Sequence, residues 1–366
     1  MAADKERVPN RDSAPDVEIV GDRVTFHPTG FTGGPEEKDR PITERNLVRH
    51  MARFRESPFD FLREVSLHMS GTGWRAYDDI IGQPIFYSGF SENIKSHILA
   101  SPLLQSKMNE LAEARLAVEE RDGFLEIKSG SLEERRTQRR GEIKGSLEDV
   151  VDSMMEKMIC KMESKRFIRG AYYLCTQMLT RAYHQGNLLS GCNPKHLLTK
   201  AIGIHVSSEE VLRLRSVAEE AAKKKQSIVF LPCHKSHVDY VSLQLICYRL
   251  GIGLPVVVAG DNLNIPLLGP FLQHAGAMWI RRSFGNDPLY HTVVQTYIDT
   301  LLQQGFNFEC FIEGGRSRTG KLLSPKFGIL SFIVDSVLSG RVEDTIICPV
   351  STQYDKVIET EYGHHE

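Results

Sequence analysis

The chain lacks any run of about 18 uncharged apolar residues, the length a membrane-crossing helix needs. Its nearest approach, residues 240–260, is interrupted by Arg249, Gly251, Gly253 and Pro255, and reads as a buried helix, a turn and a strand. The opening MAADKERVPN has no apolar core, so no secretory signal is expected. The closing GHHE matches neither a peroxisomal nor an endoplasmic-reticulum address. There is no CxxC pair, and the seven cysteines are odd in number and scattered, which argues against a disulfide framework. They suit core positions or a reducing compartment. A net charge of -2 gives no whole-molecule case for nucleic-acid binding, and no nucleic-acid partner is expected. No internal repeat and no low-complexity tract is present. What remains is ordinary for a globular chain: 366 residues, 41% hydrophobic and 25% charged, enough for two or so domains.

The organisation changes along the chain. Residues 1–43 are rich in Pro, Gly, Asp and Glu without a period, and are expected to be disordered. Residues 44–186 are expected to form a helical N-terminal domain. Apolar residues recur at three- and four-residue spacing in FDFLREVSLHM and in IKSHILASPLLQSKMNELAEARLAVEE. Within this region GSLEERRTQRRGEIKG (130–145) is expected to be a solvated, charged connector. Met154, Met155, Met158 and Met162 then share related helical faces, a pattern of core or interface. NLLSGCNPKHLLTKAIG (187–203) fits neither neighbour and is expected to be an insertion loop. From 204 to 366 the rhythm becomes α/β. Strands are expected at 227–233, 254–260, 277–281, 306–312 and 345–349. Helices are expected at 209–225, 238–250, 266–274, 287–304 and 325–338. That alternation predicts a mixed, largely parallel sheet covered by helices.

The stretch SIVFLPCHKSHVDY (227–240) is the centre of the α/β part. A buried strand is broken by Pro232, and a polar cluster follows before a helix, which is where α/β folds place their chemistry. His234 can serve as a general base near neutral pH, and Asp239, five residues on in a first helical turn, can fix its tautomer. Two bland alternatives stand beside this one: a capping His with a dipole-paired Asp, or metal ligation by His234, His237 and Asp239. GAMWIRR (276–282) ends a strand with two arginines, a pattern suited to anions or to plain solvation. FIEGGRSRTGK (311–321) delivers Glu313, two glycines, Arg316, Ser317, Arg318 and Lys321 from a strand end, a composition that binds phosphate oxygens. It also mimics a nucleotide P-loop, from Gly315 to Gly320-Lys321, but Leu322 stands where the magnesium-binding hydroxyl belongs. IICPVSTQYDKVIE (346–359) is a strand exit shaped by Pro349.

Taken in order, H-x-x-x-x-D, GAMWIRR, FIEGGRSRTGK and IICPVS resemble the four blocks of the glycerolipid acyltransferases, nearest to those acting on glycerol 3-phosphate and dihydroxyacetone phosphate (glycerone phosphate). The resemblance covers roughly residues 205–361. It implies acyl transfer from acyl-CoA, or from an acyl carrier protein in bacterial relatives, onto the 1-hydroxyl of a three-carbon phosphate. His234 and Asp239 would be the catalytic dyad. Arg282, Glu313, Gly314, Arg316, Ser317 and Arg318 would hold the substrate phosphate, and Pro349 would line the acyl side. No metal or bound cofactor is implied, since the thioester is already activated. A membrane surface is an implied partner. The implied location is the periphery of an organelle membrane: peroxisome, endoplasmic reticulum or mitochondrion. Family members run beyond the fourth block, so a C-terminal truncation is expected here. A lysophospholipid acyltransferase, a P-loop-like nucleotide binder and an inactive membrane-binding remnant are the competing readings.

Overall fold

A computed structural model describes residues 80–124, 131–168, 170–172, 175, 204–236, 238–317 and 321–354, together with the backbone of 17–20 and 23–26. The connecting segment 187–203, His237 and Arg318 lie outside the described residues.

The elements run β1 (Val17–Val20), β2 (Arg23–Phe26), α1 (Phe90–Ala100), α2 (Pro102–Arg121), α3 (Leu132–Met158), β3 (Ile204–Ser207) and α4 (Ser208–Lys223). They continue with β4 (Ser227–Pro232), α5 (Val238–Arg249), β5 (Val256–Gly260), α6 (Leu268–His274), β6 (Ala277–Ile280), α7 (Pro288–Gln303), β7 (Phe308–Glu309), α8 (Gly328–Leu338) and β8 (Thr345–Val350). Five strands form one sheet in the order β6-β5-β7-β4-β8, with every pairing parallel. All five therefore present their C-terminal ends to one edge, and the loops that carry the motifs leave from that edge. The expected α/β sheet is present, and its helix and strand positions fall close to those read from periodicity. β7 is much shorter than its apolar run. Asn307 takes over just before it: its side chain accepts from the Ile228 amide at 3.0 Å and donates to the Gly253 carbonyl at 2.7 Å, bridging the neighbouring strands.

Two expectations need correction. The segment 1–43 is not without order: β1 and β2 pair as an antiparallel hairpin, and β2 pairs with β3. The register pairs Val20 with Arg23 and Val17 with Phe26. The charged connector is in fact the first half of α3, a helix of 27 residues. Ser131 and Glu134 close a reciprocal capping box at its start. Its arginines turn to α2: Arg139 meets Glu119 at 2.8 Å, Arg136 meets Glu120 at 2.7 Å and Arg140 meets Glu113 at 2.8 Å. The Arg139 and Arg115 guanidinium groups hold the Glu119 carboxyl down at about 2.

α7 explains how the helical region attaches. From Leu289 to Leu302 nearly every residue is buried, so the helix is covered on all sides. It packs on β4 on one side and on α1, α2 and α3 on the other. Phe90 of α1 meets Phe306 edge-on at 5.2 Å, and Met155, Met158 and Met162 are buried in the same core as Val293 and Tyr297. The methionine stripe is thus core, and helices α1–α3 share one apolar cluster with the sheet. Among the described residues no helix is long and apolar enough to cross a membrane.

Candidate active site

β4 is buried along its whole length and ends at Pro232, which delivers His234 beyond the sheet edge. Asp239 enters the first turn of α5, where a carboxylate is favoured by the helix dipole. The two side chains meet: His234 Nδ1 lies 3.2 Å from Asp239 Oδ2. The same oxygen accepts from the backbone amides of Lys235 at 2.7 Å and Ser236 at 2.8 Å. The other oxygen, Oδ1, accepts from the Tyr354 phenol. Burial pushes the Asp239 carboxyl up, but the hydrogen bonds from His234, Tyr354, Ser236 and Lys235 outweigh it and hold it below the ordinary carboxylate range. An ionised Asp239 fixes the proton on Nδ1 and leaves Nε2 as the acceptor. The imidazole plane is set by Phe311, whose ring centroid lies 4.2 Å away at 34°. The imidazole is 15% exposed, while the Asp239 side chain is fully covered.

The loop after β7 is tied to this dyad. The Ser317 amide donates to the His234 carbonyl at 2.8 Å. Glu313 is buried, and its carboxylate accepts from the His234 amide and the Leu323 amide, each at 2.9 Å. Glu313 therefore anchors both ends of the loop to the histidine segment, a scaffolding task the sequence did not reveal. Gly314 sits at φ +62°, and a Cβ there would lie 2.8 Å from Lys326 Cδ, so both conformation and space require glycine. Arg316 is half-buried beside it, and Ser317 is buried with its hydroxyl Oγ unpartnered.

The two arginines of the second motif divide. Arg281 is engaged in structure: it meets Asp287 at 2.8 Å and lies 4.0 Å over the Tyr290 ring. Arg282 is exposed and donates to Asn262 Oδ1 at 3.0 Å. β6 stands three strand spacings from β4, roughly 14 Å, on the same sheet edge. The structure thus clusters His234, Asp239, Glu313, Gly314, Arg316 and Ser317, and sets Arg282 across the edge from them. Pro349 pairs in register with Leu231 on β8 and is exposed.

Sequence reasoning missed two residues here. Tyr354 was passed over as part of a strand exit. Glu309, on β7, is fully buried with both carboxylate oxygens unpartnered; burial, with Asp239 nearby, pushes its carboxyl far above the ordinary range. The P-loop reading fails on geometry. The Ser317 amide is spent on the His234 carbonyl, and α8 begins only at Gly328. A phosphate cradle needs free amides and a helix starting at once. Among the described residues no group of three His, Cys, Asp or Glu is placed to hold a metal ion.

The family model described as Acyltransferase matches residues 213–353. The chain is 40% identical over 164 residues to a glycerol-3-phosphate acyltransferase of Aeromonas hydrophila subsp. hydrophila, covering 45% of this chain and 20% of that protein. It is 46% identical over 139 residues to the glycerol-3-phosphate acyltransferase of Shewanella pealeana, covering 38% and 17%. The Shewanella oneidensis protein of the same name is 40% identical over 164 residues. The matched segment thus spans about a fifth of the length of these relatives. They are bacterial proteins, from cells without peroxisomes, endoplasmic reticulum or mitochondria, and this overturns the expected organelle membrane. Residues 213–353, which carry His234, Asp239 and the parallel sheet, are similar to the acyltransferase family model, and the chain is similar there to glycerol-3-phosphate acyltransferases.

Proposed function

We propose that this domain is an O-acyltransferase that moves an acyl group from a thioester donor to the 1-hydroxyl of glycerol 3-phosphate. The observation that carries the reading is a single tether. The His234 imidazole is 3.2 Å from an ionised Asp239, and its own carbonyl accepts from Ser317, at the head of the basic loop, at 2.8 Å. Base and anion loop are thereby fixed to one another. His234 Nε2 takes the hydroxyl proton as the oxygen attacks the thioester carbonyl. Asp239 holds the ring and stabilises the imidazolium. When the tetrahedral species collapses the C–S bond breaks, and the imidazolium returns its proton to the leaving thiolate. The donor supplies the activation, so no protein nucleophile is required. Holding both substrates side by side supplies much of the rate.

Arg316, Arg318 and Arg282, with the unpartnered Ser317 hydroxyl, form the set offered to the phosphate. Glu313 serves that set from behind, by holding the loop. The donor is an acyl-CoA or an acyl carrier protein, and dihydroxyacetone phosphate is the acceptor to compare. The purified chain, given both donors and both acceptors, is expected to acylate glycerol 3-phosphate. His234→Ala should lower turnover by about 10²–10⁴-fold without altering the circular dichroism. Full activity in that variant would refute the dyad.

A lipid surface is the third partner in this reading. The loops after β5 and β7 expose Leu267 (90%), Leu322 (74%) and Phe327 (63%), with Arg282, Lys321 and Lys326 beside them on the same sheet edge. Apolar side chains interspersed with cations suit an anionic bilayer.

A further inference from the structure

Asp239 is supported from a part of the chain far from it in sequence. After β8, residues 350–354 are stitched across the dyad. The Cys233 amide donates to the Val350 carbonyl at 3.1 Å, and the Thr352 amide donates to Cys233 Sγ at 3.2 Å. The Lys235 ammonium donates to the Thr352 carbonyl at 2.9 Å. The strap then places the Tyr354 phenol on Asp239 Oδ1, the oxygen that His234 does not use.

We propose that Tyr354 is a positioning residue of the catalytic dyad, its phenol holding Asp239 from the side opposite His234. This rests on the reading of His234 as the base. The strap as a whole becomes a wall of the active site, with Lys235 and Cys233 as its fixings. Two effects follow. The first is geometric: Oδ2 is directed at Nδ1 because Oδ1 is held. The second is electrostatic. A phenol that donates to Oδ1 takes up part of the carboxylate's charge, which leaves less of it to act on the imidazole. The Tyr354 hydrogen bond is among those that hold the Asp239 carboxyl down. Among the described residues the groups facing Asp239 are few. His234 and the Lys235 and Ser236 amides come from the preceding loop, Tyr354 from the strap, and Glu309 from β7 below, where burial keeps it neutral. The Lys235 ammonium is turned to Thr352, and Glu313 to the backbone of His234.

Tyr354→Phe keeps the ring and removes only the donor. It is expected to lower kcat roughly tenfold with little change in the KM for the acceptor. The acid limb of kcat/KM should move to higher pH, because an unshared carboxylate holds the imidazolium more firmly. The same upward movement should appear in the His234 imidazole titration followed by NMR, which needs no turnover; Asp239→Asn should move it the other way. A Tyr354→Phe protein that loses thermal stability while its titration and acid limb stay where they were would overturn the proposal, leaving Tyr354 as packing. If the titration moves but neither Tyr354→Phe nor His234→Ala changes acyl transfer, the positioning role stands and the catalytic reading of the dyad falls.

Discussion

At the residue scale the site turns on carboxylates in three different states. Asp239 is buried and ionised, because it is surrounded by donors. Glu313 is buried and spent on two backbone amides. Glu309 is buried with no partner, and is held neutral. Their sequence contexts do not announce this difference. The spacing of His234 and Asp239 let the two side chains meet across a loop and a first helical turn, but it did not by itself set a dyad apart from a capping His with a dipole-paired Asp; the family resemblance did. Glu313 was read with the phosphate-binding cations because it sits among them in sequence; in space its side chain turns back under the loop. Glu313→Ala is expected to strip two half-buried amides of their acceptor, at about 1 kcal/mol each. Both stability and acyl transfer should fall, as measured by thermal melting and by turnover on the same preparation. A variant that melts like the parent would show that the loop is held by other means.

At the element scale, β7 carries the least comfortable residue of the sheet. Glu309 lies between Phe230 of β4 and Val257 of β5, where an apolar side chain would rest without cost. The sign of its pH effect follows from its raised folded value. Below the ordinary 4.5 both folded and unfolded chains hold the proton, and stability is complete. As pH rises past it, the unfolded chain can ionise while the folded one cannot, so stability declines until the folded carboxyl also titrates. Glu309→Met should therefore stabilise the protein by about 1–3 kcal/mol at neutral pH, with a gain that shrinks toward acid. Melting temperatures across a pH series would check it, and a pH-independent difference would contradict the buried acid. The helices and strands of the α/β half were legible from periodicity, as β4 and α5 illustrate, because each has one apolar run or face and a clear breaker. α3 was not, because its first half is polar all round. Its stability comes from a capping box and from glutamates on α2, and cross-helix pairing leaves no period in a single segment. β1 and β2 were hidden by the polar composition around them.

At the scale of the whole molecule, the helices α1–α3 and the sheet share one core through α7, so the boundary drawn from sequence at residue 204 is not a boundary in packing. Periodicity sees elements, not which elements share a core. The loops that leave the sheet after β5 and β7 also expose apolar residues, Leu267, Leu322 and Phe327 among them. Leu267 is held at φ 70°, a conformation unusual for a leucine, with its side chain 90% exposed. Replacing Leu267 and Phe327 by glutamate is expected to reduce cosedimentation with anionic phospholipid vesicles severalfold, while soluble short-chain acyl donors are still used. Equal vesicle binding by the double variant would remove the lipid-surface reading. Loss of soluble turnover as well would place these side chains on the donor's path instead.

β8 pairs with β4 over six residues and then hands on the strap that reaches Asp239. Among the described strands it stands at the margin of the sheet, where fraying begins. A lateral peeling of this one strand would let go of the dyad while the other four strands remained joined. The proposed acyl transfer would then be lost well before the protein melted, and its loss on heating should run ahead of the loss of helix.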